Sequence, residues 1–210
     1  GGVNGERLQI NEDTIWTGQP HEYHHEGAVK VLPQLRELLF AGKQREAEEL
    51  AMKEFMSVPL GQKTYQPCAD LLISFPARDA VAGYRRELDL VNAVARVGYR
   101  HQGVAYSTEA FASNPDQVIV WRITADRPGR VDFTARLASQ HRSAESTGMG
   151  SDQLVLSGQV EEGGVRFETR LRASCKGGTV SLADGELSIA GADSATLVLT
   201  AASSVKNYQD

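Results

Sequence analysis

The sequence is poor in cysteine, in long apolar stretches and in charge of one sign. Its two cysteines, Cys68 and Cys175, are too few for a disulfide scaffold and lie in no CxxC arrangement, which argues against zinc-ribbon and thioredoxin-like sites. No segment approaches the roughly 20 apolar residues that a membrane-spanning helix needs. Lysine and arginine number 22 against 27 aspartate and glutamate, which gives a net charge of −5. We therefore expect no nucleic-acid partner and no membrane span.

Several sequence motifs of enzymes are missing as well. The chain contains no GxSxG, P-loop or GxGxxG sequence. With 41% apolar and 23% charged residues, its composition is that of a globular protein and excludes disordered, collagenous and coiled-coil classes. Because the 210 residues begin at Gly1 without Met, we interpret the chain as a fragment of a longer protein, in which any signal segment would lie upstream.

A helical period occurs in one part of the chain and predicts a two-helix insertion at about 28–55. The first helix is expected to end near Ala41, where Gly42 suits the left-handed position after a helix. The second is expected from Lys43 to about Phe55. The apolar positions of the two helices are Ala28, Leu32, Leu35, Leu39, Ala47, Leu50, Ala51 and Phe55.

From residue 65 onward the apolar residues alternate with period 2, which is typical of strands. Breakers such as Asn114-Pro115-Asp116 separate the runs, and 139–152 is the longest stretch without a pattern, expected to be an irregular loop outside the sandwich. Many short strands without alternating helices predict a mainly all-β protein, a large antiparallel β-sandwich (super-sandwich), as one domain over 1–210. The eleven expected strands are 71–75, 84–90, 93–99, 104–112, 117–124, 131–137, 153–157, 165–173, 179–183, 186–190 and 195–201.

A cluster of nitrogen and oxygen donors, HEYHH at 21–25, has the residue types of a zinc or copper site. A metal site needs suitable donor atoms, convergence of those donors on one point, and supporting hydrogen bonds. A polar loop meets only the first of these three requirements. We therefore favour a solvated loop and expect no metal and no cofactor.

Carboxylates suited to acid and base chemistry are spread along the chain, and no two of them can be placed across one glycosidic bond from sequence alone. Glu87 and Asp89 share one face of a strand, a spacing that also describes a solvated rim. The favoured interpretation of each is structural. The set comprises Glu12, Asp13, Asp70, Glu87, Asp89, Glu109 and Asp116.

The two tryptophans are predicted to differ in burial. Trp121 lies within the apolar run VIVW and is expected in the core. Trp16 has polar neighbours and is a candidate for an exposed aromatic that stacks on a sugar ring or covers an interdomain surface. The arginines of 165–173 alternate with apolar residues and are expected on the solvent face of a sheet.

The segment LQINEDTIWTGQP at 8–20 resembles the start of the N-terminal domain of glycoside hydrolase family 95, the α-L-fucosidase family that also includes α-L-galactosidases. NEDTIWTG and FASNPDQVIV are its most specific segments. The other matching segments follow in the order of that family and cover most of the chain: LPQLRELLFAGKQREAEELA, YQPCADLLISF, YRRELDLVNAVARVGY and DSATLVLTAASSVKNY.

This resemblance implies a β-sandwich that precedes a helical linker and a catalytic (α/α)6 barrel acting with inversion on fucosylated oligosaccharides. The barrel would carry the catalytic carboxylates, so no catalytic residue is assigned in this chain. The barrel of the same polypeptide is the expected partner. A periplasmic or extracellular location is favoured over a cytoplasmic one.

A substrate-binding or domain-interface site is predicted at the end of the short strand-like segment ERLQIN at 6–11 and in the loop that follows it, at Asn11, Glu12, Asp13 and Trp16. These residues would either close a sugar pocket or cover an interface with the barrel, and the interface is favoured. A stand-alone carbohydrate-binding sandwich without catalysis remains the alternative, and a purely structural sandwich is a third class.

Overall fold

The computed structural model describes residues 2–207, which separate into two compact units. One contains the residues up to Thr17 and from Tyr65 to Lys206, and the other contains Gly18–Thr64. The first unit holds all the strands and the second holds both helices. That the whole chain acts as a single domain stays a prediction.

The strand unit consists of alternating runs that pair both with neighbours along the chain and with strands distant in the sequence. Its strands are β1 (Gly5–Ile10), β2 (Ala69–Ser74), β3 (Ala82–Asp89), β4 (Val94–His101), β5 (Val104–Ser113), β6 (Val118–Ala125), β7 (Val131–Ala138), β8 (Glu145–Met149), β9 (Gln153–Gln159), β10 (Arg166–Lys176), β11 (Thr179–Ala183), β12 (Glu186–Ala192) and β13 (Ser194–Ser203).

These strands form two antiparallel sheets that share one apolar core. The five-stranded sheet has the order β1-β2-β7-β12-β11, and the eight-stranded sheet has the order β3-β4-β5-β6-β13-β10-β9-β8. Strand accounts for 49% of the residues and helix for 12%. The predicted antiparallel sandwich with a two-helix insertion is therefore confirmed.

Strand β10 shows why the alternating pattern produces this core. Phe167, Thr169 and Leu171 are buried between the sheets, whereas Arg170 and Arg172 point to solvent, as the period-2 pattern predicts. Trp121 on β6 is also in the core, with 3% of its surface exposed. Its ring packs edge-on against that of Phe133 on β7, with the centroids 5.5 Å apart.

The prediction of an irregular loop over 139–152 is wrong for its second half, which forms β8. This strand lies at the edge of the eight-stranded sheet and pairs only with β9. An edge strand buries little, and all of β8 except the half-buried Ser146 is exposed. It consequently lacks the apolar alternation by which a strand is recognised in a sequence.

The helical unit contains α1 (Ala28–Phe40) and α2 (Gln44–Glu54), within the predicted insertion. Gly42 has φ 71° after α1, its N–H donates to Leu39 O, and the N–H of Lys43 donates to Leu38 O. These two bonds form the Schellman cap for which the glycine was predicted. Of the predicted apolar positions only Leu35 and Ala47 are buried. Neither helix has the length or apolarity to span a membrane.

Several loops that connect strands lie together at one end of the strand unit, as a consequence of how the strands pair. The loop after β1 lies beside the β5–β6 turn and the end of β13, because these three segments line one groove. In the pairing of β4 with β5, Ala95 lies opposite Ala110, so the β3–β4 turn lies beside the last residues of β5. We call this end the loop end of the sandwich.

Candidate functional site

The predicted site residues follow β1 in a short turn at the loop end. Glu12 shapes this turn, since its Oε2 accepts hydrogen bonds from the backbone N–H of Thr14 at 3.1 Å and from its hydroxyl at 2.6 Å. The N–H of Ile15 donates to Glu12 O at 3.2 Å. Ile15 is fully buried and anchors the turn in the core. The Glu12 carboxylate is thus engaged as an acceptor within its own turn.

A second contact ties this turn to the eight-stranded sheet. The hydroxyl oxygens of Thr14 and Ser203 are 2.5 Å apart, which joins the loop after β1 to the last residue of β13. The N–H of Gln66 donates to Ile15 O at 2.9 Å from the other side. The turn is therefore fixed to the end of β13 and to the segment before β2, which holds the backbone of its polar residues in place.

Trp16 is exposed, as predicted, and packs against an aromatic residue that sequence reasoning did not select. Its ring centroid lies 5.2 Å from that of Tyr65, with the ring planes tilted by 59°. Trp16 Nε1 donates to Asp13 O at 2.9 Å, and the Tyr65 hydroxyl donates to Glu12 O at 3.0 Å. About two fifths of each side chain remains exposed, 43% for Trp16 and 38% for Tyr65. The pair presents a rigid aromatic surface to solvent.

The pKa of the Tyr65 hydroxyl is raised, first by partial burial and then by the nearby negative charges of Glu12 and Asp13. Both effects disfavour the phenolate. Tyr65 therefore acts as a hydrogen-bond donor here, which is the role its contact with Glu12 O requires.

A groove of about 470 Å³ brings three of the four predicted residues together. Asn11, Glu12 and Asp13 line one side of it, and Asn114 and Gln117 of the β5–β6 turn line the other. The apolar residues among its lining are Ile10, Ala112, Val118, Ile119, Leu199 and Ala201. Trp16 does not line this groove, so the predicted set divides between a polar groove and the aromatic pair.

The groove has the chemistry of a small polar recognition site. Amide and carboxylate groups on its rim can donate to and accept from hydroxyl groups, and its apolar residues can contact the C–H face of a sugar ring. Asn114 and Gln117 were not selected from sequence, where Asn114-Pro115-Asp116 indicated only a turn. The pairing of β5 with β6, and of β6 with β13, brings that turn beside Asn11.

The histidine cluster is placed in a coil before α1. Its letters, from His21 through Glu22 to His25, also fit HExxH, which binds zinc only when a helix places both histidines on one face. Here His21 Nε2 bonds Val58 O at 3.0 Å and His25 Nδ1 bonds Met56 O at 3.3 Å. Among residues 2–207, no group of three or more metal-ligating side chains converges.

The remaining candidate carboxylates have structural partners. Glu87, Asp89 and Glu109 all face Arg96, at 3.9, 3.1 and 2.9 Å. Asp70 pairs with Arg7 at 2.9 Å. These contacts agree with the structural interpretation favoured from sequence.

Charged side chains of the β5–β6 turn and of strand β10 also have partners within the fold. Asp116 accepts a hydrogen bond from the Ser113 hydroxyl. On β10, Arg170 pairs with Glu168 at 2.6 Å and Arg172 pairs with Asp152 at 3.0 Å. These side chains stabilise the turn and the solvent face of the sheet.

The chain is similar to part of three longer proteins that are named as α-fucosidases. It is 35% identical to α-L-fucosidase 2 of Arabidopsis thaliana over 97% of this chain and 27% of that protein. It is 23% identical to a protein named "Probable alpha-fucosidase A" of Aspergillus oryzae, over 95% of this chain and 28% of the relative. The corresponding protein of Aspergillus niger is 30% identical over 60% of this chain and 16% of the relative.

The chain thus spans about a quarter of the length of the first two relatives. Their names confirm the predicted resemblance to α-L-fucosidases. The family model that matches the chain is numbered 65, whereas the resemblance was to family 95. That model, described as glycosyl hydrolase family 65, N-terminal domain, matches residues 1–208. The chain belongs to this family of glycosyl hydrolase N-terminal domains.

Proposed function

We propose that this chain is the N-terminal accessory domain of a glycoside hydrolase that cleaves terminal α-L-fucosyl or α-L-galactosyl linkages. A separate helical barrel of the same polypeptide carries out the catalysis, and this chain packs against it. The observation that carries the proposal is the 35% identity to an α-L-fucosidase over nearly the whole chain but only 27% of that relative. That ratio supports the accessory role, since a domain of this size accounts for a minor part of such an enzyme.

The geometry of the loop end supports an accessory role over a catalytic one. Glycoside hydrolysis needs one carboxyl group as acid and another as base or nucleophile across the scissile bond. In the groove, Glu12 is engaged by Thr14 and precedes Asp13 directly in the turn. Two carboxylates on one side of an open groove do not straddle a substrate.

The exposed aromatic pair is the contact surface that we assign to the barrel. Trp16 and Tyr65 are both large, amphipathic and held by hydrogen bonds to Asp13 O and Glu12 O. Rigid aromatic residues of this kind are enriched in the central parts of protein interfaces.

The test is an activity assay on the full-length polypeptide that contains this chain, with aryl α-L-fucoside and aryl α-L-galactoside as substrates. We expect hydrolysis of at least one of the two. In a Trp16→Ala variant we expect faster proteolytic separation of the two domains, with Trp121 left unchanged as an internal fluorescence reference for folding. A full-length protein without hydrolytic activity on either L-glycoside contradicts the proposal.

The groove favours a second candidate, a carbohydrate-binding module without catalysis. Its amide and carboxylate rim above apolar residues has the composition of a sugar site. Titration of the 210-residue chain with fucosylated oligosaccharides distinguishes the two candidates. Saturable binding that is lost in Asn114→Ala, and kept in a control Asn92→Ala outside the groove, favours the module. Absence of binding favours the accessory domain.

A further inference from the structure

The turn between β3 and β4 exposes large apolar side chains at its tip. Leu90 is 83% exposed and Val91 is 94% exposed, and Leu88 beside them is 63% exposed. Single exposed apolar residues are common on protein surfaces, whereas contiguous ones mark contact sites. We call Leu88, Leu90 and Val91 the apolar turn.

A carboxylate holds the apolar turn in one conformation. Asp89 Oδ1 accepts hydrogen bonds from the N–H groups of Val91 and Asn92, both at 3.1 Å. Its Oδ2 accepts from Asn92 Nδ2 at 2.7 Å and from Arg96 Nη1 at 3.1 Å. A turn that is already ordered loses little conformational entropy when it binds a partner. The apolar side chains are therefore presented on a rigid support.

The charges at the base of the turn are compensated locally. Arg96 faces Glu87, Asp89 and Glu109 within 4 Å, and Arg85 pairs with Glu87 at 2.5 Å. Because the two arginines at the base of the turn, Arg85 and Arg96, are both paired with carboxylates, its chemistry does not suit an anionic membrane or nucleic acid. It suits an apolar protein surface.

The apolar turn also lies at the loop end. Since Ala95 is opposite Ala110, the residues of the turn are at the level of Ser113 and Asn114, which line the groove beside Asn11. The Trp16–Tyr65 pair is at the same end, and both surfaces can therefore contact one partner.

We propose that the apolar turn docks into an apolar recess of the catalytic domain of the same polypeptide. This inference rests on the proposed function. The partner is chosen because the chain spans only 27–28% of its first two relatives, whose remaining residues amount to a much larger part of the same polypeptide. Leu90 and Val91 are the anchors, and Asp89 positions them.

Hydroxyl-radical footprinting of the 210-residue chain and of the full-length polypeptide tests this inference. We expect labelling of Leu90 and Val91 to fall at least fivefold in the full-length protein. Tyr84 is the matched control, since it is 45% exposed and lies at the opposite end of the same strand. Its labelling should change less than twofold. Equal labelling of Leu90 and Val91 in both proteins overturns the inference.

A double variant, Leu90→Ser with Val91→Ser, provides an independent measurement. Its melting temperature in the 210-residue chain should equal that of the parent chain, because both side chains are exposed. In the full-length protein, proteolytic separation of the domains should become at least fivefold faster, and a Tyr84→Ser control should not show this. Unchanged proteolysis overturns the inference.

Two other results of these experiments can be distinguished from those described above. Concentration-dependent protection of the turn in the 210-residue chain, together with a dimeric mass, assigns the surface to a second copy and overturns the inference. Protection of the turn in a full-length protein that hydrolyses neither L-glycoside supports the docking and contradicts the proposed function alone.

Discussion

The guanidinium carbon of Arg78 lies 4.3 Å from the centroid of the Tyr106 ring, with only 6% of the residue exposed. Phe75 and Tyr99 face the same cation at 4.8 and 5.2 Å. Arg78 Nη1 donates to the Tyr99 hydroxyl and to Val3 O. Burial lowers the pKa of Arg78, and its interactions with Tyr106 and Asp132 oppose this. Aromatic ring faces thus surround a buried cation that joins the start of the chain to β4 and β5.

Arg78→Ala is expected to lower the free energy of unfolding by about 2–4 kcal/mol, from lost cation–π contacts and unpaired buried acceptors. Urea denaturation of the 210-residue chain measures this. Arg86→Ala, at an exposed position of β3, is the control and should stay within about 0.5 kcal/mol of the parent. Equal stability of the two variants would show that the rings do not stabilise the cation.

Gly178 and Gly191 form a matched pair of glycines with positive φ, 64° and 62°. A Cβ on Gly178 would lie 2.2 Å from Ala190 O and 2.6 Å from Ala192 N, whereas one on Gly191 would meet nothing within 4 Å. Gly191→Ala should therefore lower the free energy of unfolding by only about 1–2 kcal/mol, the cost of holding an alanine in the left-handed conformation. Gly178→Ala should cost clearly more, because backbone atoms must move. Thermal denaturation of both variants checks the order, and a reversed order refutes it.

Asp89 predicts a specific pH dependence of stability. Hydrogen bonds from Asn92, then from Arg96, lower its pKa from 3.8 to about 2. A carboxyl whose pKa is depressed in the folded state stabilises the protein above its unfolded pKa and loses that effect as the pH falls through the folded value. The stability difference between the parent chain and Asp89→Asn should be constant above about pH 5 and should shrink between pH 4 and 2.

The control for this titration is Asp79→Asn, at an exposed aspartate on the β2–β3 connection. Denaturation midpoints at pH 7, 4, 3 and 2 are to be compared for the three proteins. A stability difference for Asp89→Asn that persists unchanged at pH 2 would contradict the prediction.

The 210-residue chain is expected to hydrolyse no aryl α-L-fucoside, because the carboxylates of its groove do not flank a bond. Turnover at the level of the full-length enzyme would contradict this, provided that Glu12→Gln or Asp13→Asn abolishes it. Loss in these variants excludes a contaminating hydrolase as the source of the activity.

Cys68 should resist alkylation in the native protein. Its thiol is fully buried, its Sγ lies 3.1 Å from Thr169 Oγ1, and burial raises its pKa. The half-buried Cys175 should react at least ten times faster with iodoacetamide, as followed by mass spectrometry. Equal rates would show that the core opens locally around Cys68.

Much of the candidate site could be predicted from sequence, and the missing part has a physical cause. The loop after β1 was selected because NEDTIWTG is one of the most specific segments of the family resemblance and because Trp16 has polar neighbours in the sequence. Asn114 and Gln117 could not be selected, since they come together with Asn11 only through the pairing of β5, β6 and β13. Trp16 lies outside the groove and instead contacts Tyr65, a residue that follows it only after an insertion of nearly fifty residues containing α1 and α2.

The local pattern by itself determined the strands, the helical insertion and the Gly42 cap, because alternation, helical period and positive φ act within a few residues. It also determined that Glu87 and Asp89 share a strand face. Only the tertiary structure decided that Glu109 joins them on Arg96, that β8 is a strand, and that the groove, the aromatic pair and the apolar turn lie at one end. These relations depend on register between strands distant in the chain, where the free energy of pairing is gained only after the whole sheet has formed.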